Sequence, residues 1–99
     1  MREKDIENRL VVGLVAIGWR CDKLKLPGHN GATDRICLGP RWGEIAFAEI
    51  KKPGETPDPL QEIEIADLLA RGFMVRVIDS FEKADQMVRD LKTYGPRGL

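Results

Sequence analysis

Apolar residues recur at three- and four-residue steps from the start of the chain. Ile6, Leu10, Leu14 and Ile17 fall on one stripe, the period of an amphipathic helix, and predict a helix over residues 2–17. Glu3, Asp5 and Glu7 occupy its first turns, where carboxylates complement the helix dipole. Gly13 weakens helix propensity and marks a close packing contact, and Gly18 supplies a stop. From Trp19 to Leu26 the period shortens to alternation, with Leu24 and Leu26 interleaved with Lys23 and Lys25. "PGHNGATD" is a loop by composition. "DRICL" reads as a short strand, "GPRWG" as a turn and "EIAFAEIK" as a longer strand, so the last two strands form a hairpin. "KPGETPDP" is a second loop.

Asp58 has the features of an N-cap, with Pro59 at the first helical position and Gln61 three residues after the cap. The helix runs to Arg71 and Gly72 ends it. "FMVRVID" is a valine-rich fourth strand. Ser80 caps a last helix whose stripe is Phe81, Ala84, Val88 and Leu91, and "YGPRGL" stops it. The order α-β-β-β-α-β-α predicts an α/β sandwich built on a small mixed sheet.

The 99 residues bound this to one domain, 1–99. A content of 42% hydrophobic and 32% charged residues suits a soluble fold with a modest core. Net charge is +0, which argues against a passive nucleic-acid binder with its usual basic excess. It does not argue against an enzyme whose site gathers divalent cations, because the ion supplies local positive charge. Cys21 and Cys37 are too few for a disulfide framework and read as reduced core residues. No apolar run approaches the roughly 20 residues of a membrane span, and "MREKDIENRL" is no signal peptide. The expected compartment is the cytoplasm.

The strand "EIAFAEIK" poses the chemical question. Side chains alternate across a strand, so Phe47, Glu49 and Lys51 share one face, and Ala46, Ala48 and Ile50 the other. If "GPRWG" turns the hairpin, Asp34 lies seven places before Arg41 and Glu49 eight after it, so the two are cross-strand neighbours within one residue of register. Adjacent carboxylates repel and hold a proton unless a cation intervenes. Hard Mg2+ prefers oxygen ligands, and two carboxylates with a carbonyl are enough. Lys51 then points toward whatever the ion holds, where it can stabilise developing charge or help deprotonate a water. These are the parts of metal-assisted phosphodiester hydrolysis. Glu49-x-Lys51 is the only E-x-K in the chain; alone it is a weak signal, and its place on an apolar strand after an Asp-led strand strengthens it.

The run "PGHNGATDRICL…GEIAFAEIKKPGETPDPLQ" with the ending "ARGFMVRVIDSFE" resembles the virus-type replication-repair nuclease domain, VRR-NUC, a branch of the PD-(D/E)xK nuclease superfamily. The resemblance covers most of the chain. It implies a restriction-endonuclease-like αβββαβ core followed by a C-terminal helix. It also implies a Mg2+- or Mn2+-dependent endodeoxyribonuclease acting on branched DNA, leaving 5′-phosphate and 3′-hydroxyl ends. Compact members of this type resemble homodimeric Holliday-junction resolvases of bacterial or phage-infected cells. Carried over by position, Asp34 and Glu49 are metal ligands, the Ile50 carbonyl completes the inner shell, and Lys51 is the catalytic lysine. Glu7 matches the helical acid that approaches the metal directly or through water, and Gln61 matches the motif glutamine that helps hold the lysine or the water. The family's pattern has a proline just before the aspartate where this chain has Thr33.

Other polar residues carry weaker signals. Glu7 competes with an ordinary dipole role that Glu3 would fill equally, and Gln61 with a capping role that could exclude the site role. His29, the only histidine, reads as an exposed loop residue. Lys23, Lys25, Arg35, Arg41 and Lys52 flank the proposed site; Lys23, Lys25, Arg35 and Lys52 are the candidate DNA contacts. Trp42 at the hairpin tip is either a lid over the core or an exposed partner surface. Aliphatic side chains left over from the core would serve a twofold interface. Two competing functions remain: a flap-cutting or restriction-like nuclease acting as a monomer, and a catalytically inert DNA-binding module.

Overall fold

A computed structural model describes residues 2–25, 31 and 33–93. The glycine-rich loop with His29, the end of the first strand pattern at Leu26 and the terminal "YGPRGL" lie outside the described residues. The elements are α1 (Glu3–Ala16), β1 (Arg20–Lys23), β2 (Arg35–Leu38), β3 (Ile45–Ile50), α2 (Pro59–Ala70), β4 (Met74–Ile78) and α3 (Phe81–Lys92). Their order is the expected one.

The sheet is mixed, in the order β1-β2-β3-β4. β1, β2 and β3 are antiparallel neighbours, whereas β4 runs parallel to β3. A parallel pair needs a crossover connection, and α2 provides it. The helices divide between the two faces because β3 alternates. Ala46, Ala48 and Ile50 join Ile6, Leu10 and Leu14 of α1 and Ala84, Met87 and Leu91 of α3 in one buried core. On the other face Phe47 meets Phe73 edge-on at 5.5 Å, and Glu49 meets α2 through Gln61.

α1 and α3 pack closely because Gly13 has no side chain there; a Cβ at this position would lie 2.8 Å from Val88 Cγ2. Each fully buried Leu or Ile of this core contributes about 1.5–3 kcal/mol of transfer free energy. Cys21 and Cys37 are free and buried. They face one another across β1 and β2, with their sulfurs 4.0 Å apart.

The hairpin register is held by a buried clamp. Glu44 is 2% exposed and accepts from the Arg41 backbone N–H at 2.7 Å and from its guanidinium at 3.1 Å. The Gly39 N–H closes the turn on the Glu44 carbonyl at 2.8 Å. Only glycine fits at 39, since a Cβ would lie 2.4 Å from Glu44 Cβ and 2.8 Å from Trp19 Cζ2. The clamp pairs Arg35 with Ala48 and Ile36 with Phe47. One further step along the ladder sets Asp34 opposite Glu49. Trp42, at the tip, is exposed rather than a lid over the core.

Candidate active site

The core of the site is a carboxylate that is fully buried. Glu49 is 0% exposed. Its in-register neighbour on β4 is Val77, so one flank is apolar, and the other is Asp34. Gln61 Nε2 donates to Glu49 Oε1 at 3.1 Å, while Glu49 Oε2 is buried with no hydrogen-bond partner. Burial pushes the Glu49 carboxyl from its ordinary 4.5 up to about 8; the neighbouring Asp34 carboxyl adds to the rise, and Lys51 opposes it. Two carboxyl groups thus share a poorly hydrated space beside an ammonium.

Asp34 is anchored by the backbone. Its Oδ2 accepts from the Ile50 N–H at 2.8 Å, a bond that continues the β2–β3 ladder through a side chain. Lys51 lies one residue beyond β3 and is half-buried; its N–H continues the parallel ladder to the Ile78 carbonyl at 3.0 Å.

Gln61 carries two roles at once, contrary to the expectation that one could exclude the other. Its amide oxygen accepts from the Asp58 N–H at 3.0 Å, and its own N–H donates to Asp58 Oδ1 at 2.9 Å, completing a capping box. The amide nitrogen remains free for Glu49. An amide has two chemically distinct ends, and here each end has its own partner.

Glu7 reaches the site from the other side. With Glu3, Lys23, Leu24, Lys25, Thr33 and Asp34 it lines a polar pocket of about 260 Å3 at the end of the sheet. Glu3 shares that pocket one turn before Glu7. Glu7 Oε2 accepts from Arg35 Nε at 2.8 Å, and Arg35 also donates to the Cys21 carbonyl at 3.1 Å. This corrects the reading of Arg35 as a DNA contact: its side chain is only 13% exposed and is spent on an internal ion pair. Arg35 shares its strand face with buried Cys37, which is the signal in the sequence that it points inward. Lys23, Lys25 and Lys52 are exposed; the first two stand on the pocket wall and Lys52 does not.

Asp34, Glu49 and Gln61 are therefore brought together with Lys51 nearby, and Glu7 joins Asp34 alone. Among the described residues no three His, Cys, Asp or Glu side chains converge as a metal cluster. The two polar atoms that sequence reasoning missed are Thr33 Oγ1, buried with no hydrogen-bond partner, and the Glu44 clamp. Nothing in residue type distinguishes either from a surface group.

A four-stranded mixed sheet flanked by helices, with two carboxylates opposed on its central hairpin, defines an α/β domain of the nuclease kind. The comparisons agree. The chain is 44% identical over 80 residues to a protein described as "Putative nuclease p44" from Acyrthosiphon pisum secondary endosymbiont phage 1, covering 81% of this chain and 85% of that one. A solved structure described as a VRR_NUC domain superposes with a TM-score of 0.82 at 32% identity, over 88% of this chain and 94% of that one. No family model matches. The chain belongs to the VRR-NUC family of nucleases.

Proposed function

We propose that this nuclease is a divalent-metal-dependent, structure-specific endodeoxyribonuclease that resolves four-way DNA junctions as a homodimer. The observation that carries the metal reading is Glu49: a buried carboxylate with one unpartnered oxygen, set opposite a second carboxylate. The donor set is all oxygen, which suits hard Mg2+ or Mn2+. Asp34, Glu49 and the Ile50 carbonyl would hold the ion, and Glu7 would reach it through water. Bound there, the ion supplies Lewis-acid polarisation of the phosphate and acidification of the attacking water.

The chain's own residues do the rest. Gln61 fixes the Glu49 carboxylate by donating to Oε1, which leaves Oε2 without a protein partner. The Ile50 N–H fixes Asp34 in the same way. Lys51 places an ammonium where charge develops on the scissile phosphate, and a fixed cation at such a point is strongly stabilising. Lys23 and Lys25, exposed on the pocket wall, are placed to meet flanking phosphates, and Lys52 offers a further contact.

The homodimer is supported by α2, which has no buried residue and exposes Leu60, Ile63 and Leu69. Among the described residues no helix is long and apolar enough to cross a membrane.

The test is cleavage of labelled four-way junction, flap and linear duplex in Mg2+, in Mn2+ and with chelator. Paired nicks in the junction, dependent on metal, are expected. Lys51→Ala and Asp34→Asn should each reduce cleavage by about 10²-fold or more while junction binding persists. Preference for flap or linear duplex would replace the resolvase reading. Metal-independent binding without cleavage would favour the inert module.

A further inference from the structure

Cys21 and Cys37 are the only two cysteines of the chain, and the proposed chemistry uses neither. They occupy directly opposed positions of β1 and β2, in the buried core, with their sulfurs 4.0 Å apart. The ladder decides which kind of pair they form, because hydrogen-bonded and non-hydrogen-bonded pairs alternate along antiparallel strands. The Leu24 N–H donates to the Asp34 carbonyl at 3.0 Å, one step beyond Lys23 and Arg35, so Leu24–Asp34 is a bonded pair. Counting back, Asp22–Ile36 is bonded and Cys21–Cys37 is not. The β2–β3 hairpin agrees. The Gly39 N–H donates to the Glu44 carbonyl, and the same count makes Cys37–Ala46 a bonded pair, which turns the Cys37 backbone groups away from β1. In a non-bonded pair the Cα atoms lie about 4.5 Å apart and the side chains stand closest. That separation falls within the roughly 4.4–6.8 Å that a disulfide spans. The sulfurs can therefore close from 4.0 Å to a bond of about 2.05 Å with the strands still in register.

We propose that Cys21 and Cys37 are a reversible modification site, at which hydrogen peroxide converts the two thiols to a disulfide that staples β1 to β2. β1 is an edge strand whose one strand partner is β2, so the staple secures the least supported strand of that hairpin. Cys21 is the attacking sulfur. It lies on the edge strand and is 8% exposed, whereas Cys37 is 0% exposed. Hydrogen bonding with Cys37 holds the Cys21 thiol below its ordinary value; burial opposes this, and the charge of Arg35 adds to it. Arg35 is kept there by its bond to the Cys21 carbonyl at 3.1 Å. The thiolate is the reactive form. It bonds to one peroxide oxygen, the O–O bond breaks, and the leaving hydroxide departs as water with the Cys21 proton. The Cys37 sulfur then attacks the Cys21 sulfenic acid. The S–S bond forms, the S–O bond breaks, and a second water leaves with the Cys37 proton. Two thiols and one peroxide become one disulfide and two waters, with two electrons passing from sulfur to oxygen. A thiol reductant returns those electrons by exchange.

The experiment is treatment of the folded, reduced full chain with hydrogen peroxide, followed by thiol counting, intact mass and thermal melting. The expected result is loss of both thiols together and a mass lower by two hydrogens. Dithiothreitol should restore both thiols. The oxidised protein should melt several degrees above the reduced one, because the bond closes the loop between β1 and β2. In Cys37→Ser the sulfenic acid at Cys21 has no second thiol to meet, and dimedone should trap it there. In Cys21→Ser, Cys37 should stay reduced under the same treatment. Thiols that survive in the folded parent under conditions that oxidise them in urea overturn the proposal. A disulfide between two chains, or a Cys21 sulfinic acid beside a free Cys37, overturns it too. An oxidised protein that melts at or below the reduced one overturns the staple. The parent's thiol count and mass decide the matter by themselves, so a serine variant that fails to fold leaves the test intact.

Discussion

Glu49 is withheld from water by the fold, which gives a partner to one of its oxygens and none to the other. This has a consequence for stability in the absence of metal. The folded carboxyl is raised from 4.5 to about 8, first by burial and then by Asp34, so the folded state holds its proton more tightly than the unfolded chain. Stability from this group is complete below about pH 4.5 and is lost as pH rises through about 8. Glu49→Gln removes the titration and keeps an acceptor for Gln61, and its new amide donor can meet Asp34. Without metal, Glu49→Gln should therefore melt several degrees above the parent at pH 8.5–9 (about 4–8 °C per kcal/mol for a domain of this size). The gain should be small at pH 5. Mn2+ should raise the parent's Tm and not the variant's. Melts with and without Mn2+ across this range check it, and a variant that melts lower at high pH would show that burial carries no such penalty.

At the scale of the elements, the site depends on two joints, the β2–β3 turn and the start of α2. Asp58 and Gln61 tie the helix start together, and Gln61 alone passes that order on to Glu49. Asp58→Ala should lower stability by about 1 kcal/mol through the lost cap, with Mn2+ affinity near the parent's. Gln61→Ala should cost comparable stability and also weaken Mn2+ binding by about 10-fold. Melting and calorimetry on both variants separate the roles; equal affinity losses would mean that the amide contact to Glu49 does not orient it. The cap was legible because Asp58, Pro59 and Gln61 have fixed offsets, and the Asp34–Glu49 pairing because a turn fixes the count on either side of it. The double use of Gln61 was not, since sequence offsets say nothing of which end of an amide is left over. Nor was the Arg35–Glu7 pair, whose partners are 28 residues apart. The alternation that put Arg35 on the face of Cys37 carried that signal, but a charged residue at a strand end reads as exposed by default.

At the scale of the whole molecule, α2 is the anomaly. A helix apolar on more than one side is ordinarily covered on each, yet α2 has no buried residue. Leu60 and Ile63 stand one turn apart, 53% and 67% exposed, and Leu69 lies further round at 52%. The sheet takes Gln61 and the half-buried Ile65 and Leu68, and leaves the rest uncovered. A second copy of the chain is the occupant proposed above, since a twofold contact buries the same apolar surface twice and sets two sites on one junction. The parent should then sediment as a dimer at micromolar concentration, with a Tm that rises with protein concentration. Ile63→Glu puts a charge into that contact while touching little of the monomer, so it should sediment as a monomer and stay folded. It should still bind Mn2+ as the parent does, because the ligands proposed above all belong to one chain. On a four-way junction it should leave single nicks where the parent leaves pairs. A parent that sediments as a monomer, or an Ile63→Glu variant that stays dimeric and still cuts in pairs, would remove α2 as the twofold surface and leave its exposed aliphatic residues without the role assigned to them.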